Sequence, residues 1–169
     1  MKMTKQFLRT RDVDWAIRIG DLYIHASSAG DDLPEMVDQN LLEIWRVLKT
    51  TEIIYSADDI QLNEKYLNTK FARQEIAEGE NFQLRKEWYI HSFRAMAMRG
   101  FYSFDRDINT PFGDSTYHLI ASPKEDKHNN LEINLPYIET KIPIEELEEC
   151  NLVDVINSLV QQEERFRKQ

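Results

Sequence analysis

VDWAIRIGDLYIHASSA, residues 13–29, decides the fold. Val13, Trp15, Ile17 and Ile19 sit two apart, with Asp14, Ala16 and Arg18 between them, which is the period-2 pattern of a strand. Gly20-Asp21 interrupts the run and Leu22–Ala26 resumes it. A two-residue Gly-X connection between β-type runs signals a hairpin, because glycine supplies the positive φ of a type II′ turn.

After the hairpin, Ser27–Asp32 reads as a loop. Asp31 or Asp32 is placed to cap a helix with Pro34 in its first turn. That helix is expected to run to about Lys49, burying Val37, Leu41, Ile44, Trp45 and Leu48. Glu52–Tyr55 fits either a short strand or a helix extension. Ser56–Asp59 reads as a turn or cap opening a short helix over Ile60–Leu67, and Gly79 as a break. Asn81–Arg99 has the spacing of a helix stopped by Gly100, with Leu84, Trp88, His91, Ala95 and Met98 along one face and Tyr89, Phe93 and Met96 beside them, a wide apolar arc that suits a central helix. Strands are expected over Phe101–Phe104, Tyr117–Ala121 and Leu131–Ile138, where Pro136 marks an edge or an end. Pro143 begins a short turn. Asn151 caps a final helix carrying Leu152, Val155, Ile156, Leu159, Val160 and Phe166 on one stripe. Hairpin-type strands separated from runs of helix point to an α+β fold over residues 1–169. The expected architecture is one domain, with a mainly antiparallel sheet of about four to six strands packed against three or more helices.

The bulk composition agrees with that fold. The chain has 169 residues, 41% of them hydrophobic and 11% aromatic, so it can bury a core without a disulfide or metal staple. The single cysteine, Cys150, excludes an internal disulfide framework and a cysteine-based zinc cluster, and its acidic neighbours work against a reactive thiolate. MKMTKQFLRTRD has no apolar leader core, and no window approaches the roughly 20 apolar residues of a membrane span. A cytoplasmic protein without a membrane association is the expectation.

The net charge of −9 is unevenly spread. Residues 142–164 hold seven acids, Glu145, Glu146, Glu148, Glu149, Asp154, Glu163 and Glu164, and no Lys or Arg. Residues 70–106 hold seven bases and five acids, interleaved with Trp88, Tyr89, Phe93, Phe101, Tyr102 and Phe104. Overall acidity argues against direct nucleic-acid binding, because phosphate affinity comes largely from Lys and Arg. An acidic face suits a protein partner with a basic surface.

Few motifs carry chemistry. His25-Ala26-Ser27 fits the H-x-[ST] pattern of two-histidine phosphoesterases, in which one imidazole is base and the other acid. The second copy fails, since His118 is followed by Leu119 and Ile120. His25, His91, His118 and His128 have no short-range metal-ligand spacing, so no metal and no cofactor are expected. Asp105, Asp107 and Asn109 begin like a calcium loop, but Thr110 and Thr116 stand where Gly and Glu are needed; residues 105–114 read as an Asx-rich loop. SSAGDD lacks the lysine and glycines of a phosphate loop.

The leading expectation is a non-enzymatic binding module, an inhibitor or regulator that engages a basic, nucleic-acid-binding protein surface through Glu145, Glu146, Glu148 and Glu149. Two alternatives stand beside it. One is a phosphodiester or nucleotide hydrolase using His25 and His118. The other is a nucleotide-sensing module using Arg94, Arg99 and Arg106 among the aromatics of 85–106, which offer stacking surfaces. A homo-oligomer through an edge strand or the last helix is compatible with each.

Overall fold

The hairpin forms as its local chemistry requires. Strands β1 (Asp14–Ile19) and β2 (Leu22–Ser27) pair antiparallel from Asp14↔Ser27 to Ile19↔Leu22. Of the two turn residues only Gly20 has a positive φ, +56°, as a type II′ turn demands. The computed structural model describes residues 4–78, 81–106, 116–125 and 133–168.

The other elements are helices α1 (Lys5–Arg9), α2 (Glu35–Asp38) and α3 (Leu41–Thr50), strand β3 (Ile60–Leu62), and helices α4 (Glu64–Glu78) and α5 (Asn81–Ala97). Strands β4 (Tyr102–Arg106), β5 (Thr116–Pro123), β6 (Tyr137–Ile138) and β7 (Glu149–Asn151) follow, with helix α6 (Leu152–Arg167) last. The fold is α+β. Its sheet has seven strands in the order β3-β5-β4-β2-β1-β6, with β7 also on β5. Four pairings are antiparallel and two, β2 with β4 and β1 with β6, are parallel, so the sheet is mainly antiparallel as expected, though mixed, and has one strand more than the expected four to six. Strands β3 and β7, which the sequence does not predict, have three residues each, too short to carry a period in sequence.

Helices cover both faces of the central strands. Ala16, on the side read as polar, is as fully buried as Trp15 and Ile17. One core cluster joins Trp15, Ile17, Phe104 and Tyr117 to Leu41 and Ile44 of α3 and to Leu152, Ile156 and Leu159 of α6. A second joins Ile120 and Ala121 of β5 to Leu67 and Phe71 of α4 and Ile90, Phe93 and Ala97 of α5.

Several expectations are corrected. The helix after the hairpin is broken at Gln39-Asn40 into α2 and α3, and its start is not capped by either aspartate: Pro34 holds the N-cap, and Asp31 is buried beside Arg106. Ile60–Leu62 is a strand, because its backbone meets the free edge of β5, and the helix begins two residues later, at Glu64. Helix α5 buries Ile90, Phe93, Met96 and Ala97, while Leu84 and Trp88 of the expected face are 71% and 87% exposed. Apolar residues run nearly around α5, so periodicity alone did not select the buried side. Residues 133–136 are not strand; pairing starts only after Pro136, whose carbonyl accepts from the Arg18 N–H. Asn151 caps α6 as expected, accepting from the Asp154 N–H, but Phe166 lies off the buried stripe and is exposed. Gly79, His128 and most of the 105–114 loop lie outside the described residues.

Candidate functional site

Two places concentrate functional chemistry: the glutamate-bearing edge of the sheet, and a cavity at the open end of the hairpin.

The edge is built by a short connection. A 3₁₀ turn, Ile144–Glu146, leads through fully buried Leu147 into β7. The Glu148 carbonyl accepts from the Leu119 N–H at 2.9 Å, and β7 pairs with the start of β5 through Thr116↔Asn151, Tyr117↔Cys150 and His118↔Glu149. Leu147 and these backbone bonds fix the segment. The carboxylates of Glu145, Glu146, Glu148 and Glu149 are all left exposed. None of the four forms an ion pair among the described residues. Cys150 sits behind them with its Sγ 3.4 Å from the Leu147 carbonyl, and burial pushes its thiol up to about 11, which keeps it protonated and unreactive at neutral pH.

The cavity, about 490 Å³, lies between α1, the start of β1, α3 and α5. His25 forms part of its floor and is only 3% exposed. Register explains its surroundings. His25 pairs with Ala16 on one side and Ser103 on the other, so its ring meets Ser103 on β4, with Asp14 two residues along β1. Nε2 lies 2.9 Å from Asp14 Oδ1 and Nδ1 lies 2.7 Å from Ser103 Oγ. An ionised carboxylate only accepts, so Nε2–H donates to Asp14, and in the neutral ring Nδ1 accepts the Ser103 hydroxyl proton. Both ring nitrogens are thereby occupied. Ser103 is fully buried behind the ring and offers the cavity no nucleophile. The group presented to solvent is Asp14, whose side chain is 63% exposed. Burial works against its charge, but the hydrogen bond and charge of His25, with a hydrogen bond from Ser27, outweigh that and hold the carboxyl below its ordinary 3.8.

Asp12 stands beside it. The Ser27 hydroxyl lies 3.1 Å from Asp12 Oδ1 and 3.4 Å from Asp14 Oδ1, and the Ala29 N–H donates to Asp12 at 2.9 Å. One hydroxyl proton therefore serves two carboxylates. Ala29 has φ +46°, an uncommon conformation for a residue with a Cβ, and both of its backbone groups are held: the N–H by Asp12 and the carbonyl by Arg106 Nη2 at 2.7 Å. Arg106 is thus a buried fastening for the 28–31 loop, with Asp31 at 4.0 Å, rather than a ligand-facing cation.

The three arginines of the middle segment do not converge. Arg106 is in the core, Arg94 is ion-paired with Glu87 at 3.3 Å, and only Arg99 reaches the cavity, with its Nε donating to the Thr51 carbonyl. The two histidines do not converge either. His118 lies beyond β4 from His25, and its ring stacks on Tyr66 of α4 at 4.0 Å. His25 and Ser27 stand out in the sequence as an H-x-[ST] pair, but Asp12, Asp14 and Ser103 do not. Asp14 meets Ser27 only through the register of the hairpin, and Ser103 carries no local signal.

Comparison with protein-family models, with curated proteins and with solved structures finds no match to this chain. No described helix is long and apolar enough to cross a membrane.

Proposed function

We propose that the protein works by binding another protein, docking its glutamate-bearing edge on a basic surface and thereby inhibiting or regulating whatever that surface does. The supporting observation is the exposure of Glu145, Glu146, Glu148 and Glu149 on a segment fastened to the sheet by Leu147 and by β7. Four exposed carboxylates with no ion-pair partner among the described residues, on a fixed backbone, set up a negative field at little ordering cost, the arrangement that steers and orients a positively charged partner. A nucleic-acid-binding surface, rich in Lys and Arg, has the complementary chemistry. The hydrolase alternative gains no support from a His25 ring engaged at both nitrogens.

The test is affinity capture from the source cell's lysate with the wild-type chain and with a variant in which the four glutamates are replaced by lysine. A basic protein retained by the wild type and lost by the folded variant is the expected result. Equal retention by both would overturn the assignment of this edge.

A further inference from the structure

The cavity at the open end of the hairpin carries a second inference, independent of the acidic edge. Its walls are apolar and aromatic: Phe7 from α1, Trp45 and Leu48 from α3, and Met96 from α5. Trp45 is pinned by its indole N–H, which donates to the Asp14 carbonyl at 2.8 Å. At 490 Å³ the space lies within the roughly 300–1,000 Å³ of small-molecule sites.

The charged groups at its rim are of both signs. Asp14 is fixed by a buried imidazole that is itself braced by Ser103; Asp12 is fixed by Ala29 and Ser27. The two carboxylates share a single hydroxyl proton, so a donor-rich cation placed between them would relieve both like-charge repulsion and unmet acceptor capacity. Arg11, Lys49 and Arg99 also line the cavity. Arg11 lies over the Phe7 ring at 4.6 Å, Arg99 is oriented by Thr51, and neither Arg11 nor Lys49 has an ion-pair partner among the described residues. A simple organic cation would satisfy the aspartates and be repelled by the bases. A phosphate compound would meet the reverse problem.

We propose that this cavity binds a small amphipathic zwitterion, of the class of a free α-amino acid with an apolar side chain. Its ammonium sits against Asp12 and Asp14, its carboxylate meets one or more of the lining bases Arg11, Lys49 and Arg99, and its side chain packs on Trp45, Leu48 and Met96. His25 is a positioning residue, aiming Asp14 without touching the ligand.

The test is a titration followed by NMR at the Trp45 indole N–H, with L-phenylalanine, L-leucine and L-methionine as probes. Phenethylamine, 3-phenylpropionate and AMP serve as comparators. A saturable shift is expected with at least one of the amino acids. The singly charged analogues and AMP should bind roughly tenfold or more weakly, the scale of a lost charge-assisted hydrogen bond. Asp14→Asn and Lys49→Gln, both surface changes checked for folding by thermal melting, should each weaken that binding by a similar factor. No saturable shift with any of the three amino acids overturns the proposal. So does a comparator that binds as tightly as the zwitterion, or full affinity in folded Asp14→Asn.

Discussion

At the residue scale, the fold depends on a few buried polar groups with assigned partners. Arg106 is only 2% exposed; it holds the strained Ala29 carbonyl and lies against buried Asp31. Replacing it with methionine keeps its bulk but removes that hydrogen bond and takes away an opposite charge from a buried carboxylate. The expected loss in urea denaturation is about 3 kcal/mol; a loss below about 1 kcal/mol would mean that the loop is held elsewhere. Asp14 makes a prediction of a different kind. Its carboxyl is held below 3.8, so its contribution to stability is present above that pH and fades as the pH falls through its lower folded value. Because the group is largely exposed, the effect is small. Asp14→Asn should be somewhat less stable than wild type at neutral pH, and the difference should shrink on acidification below 3.8; a constant gap across that range would contradict the His25–Asp14 assignment. His25 was legible as an imidazole among apolar neighbours. Its partner Ser103 was not, because the two meet 78 residues apart through a parallel pairing that leaves no mark on either segment.

At the element scale, legibility follows how local the determining forces are. The β1–β2 hairpin was readable because alternation and a two-residue glycine turn specify it within 14 residues. Helix α6 was readable because its cap and stripe agree. Strands β3 and β7 were not, since each exists only by meeting an edge built elsewhere, and of the strand expected over Leu131–Ile138 the described residues pair only at Tyr137–Ile138, where they meet β1. The buried side of α5 was only partly legible because its apolar arc is wide; packing on β4 and β5 takes Phe93 and Met96 inward and leaves Leu84 and Trp88 exposed. The loop after β2 shows local chemistry and tertiary contact acting together. Gly30 has φ +84°, and a Cβ there would lie 2.9 Å from the Arg9 carbonyl oxygen. Gly30→Ala therefore combines an unfavourable backbone conformation with a clash against main chain. It should cost at least about 1–3 kcal/mol, read as a lower urea midpoint with unchanged slope. Because this loop supplies the Ala29 N–H that fixes Asp12, the same change should also disturb the cavity rim.

At the scale of the whole molecule, the sheet separates two chemistries. One edge, where β7 joins β5, carries exposed glutamates with no ion-pair partner among the described residues; the cavity lies at the open end of the β1–β2 hairpin, with β4 between β5 and β2. The charge asymmetry was plain in the sequence, but its fixation was not. Only the burial of Leu147 and the Glu148–Leu119 backbone bond turn an acidic stretch into a fixed surface. The proposal that this surface engages a basic partner is tested most directly by the salt dependence of the affinity for the captured partner, measured by calorimetry. The account predicts an affinity that falls steeply and continuously with added salt, together with a loss of roughly 100-fold or more at low salt when Glu145, Glu146, Glu148 and Glu149 become lysine. An affinity indifferent to both salt and charge reversal would contradict it.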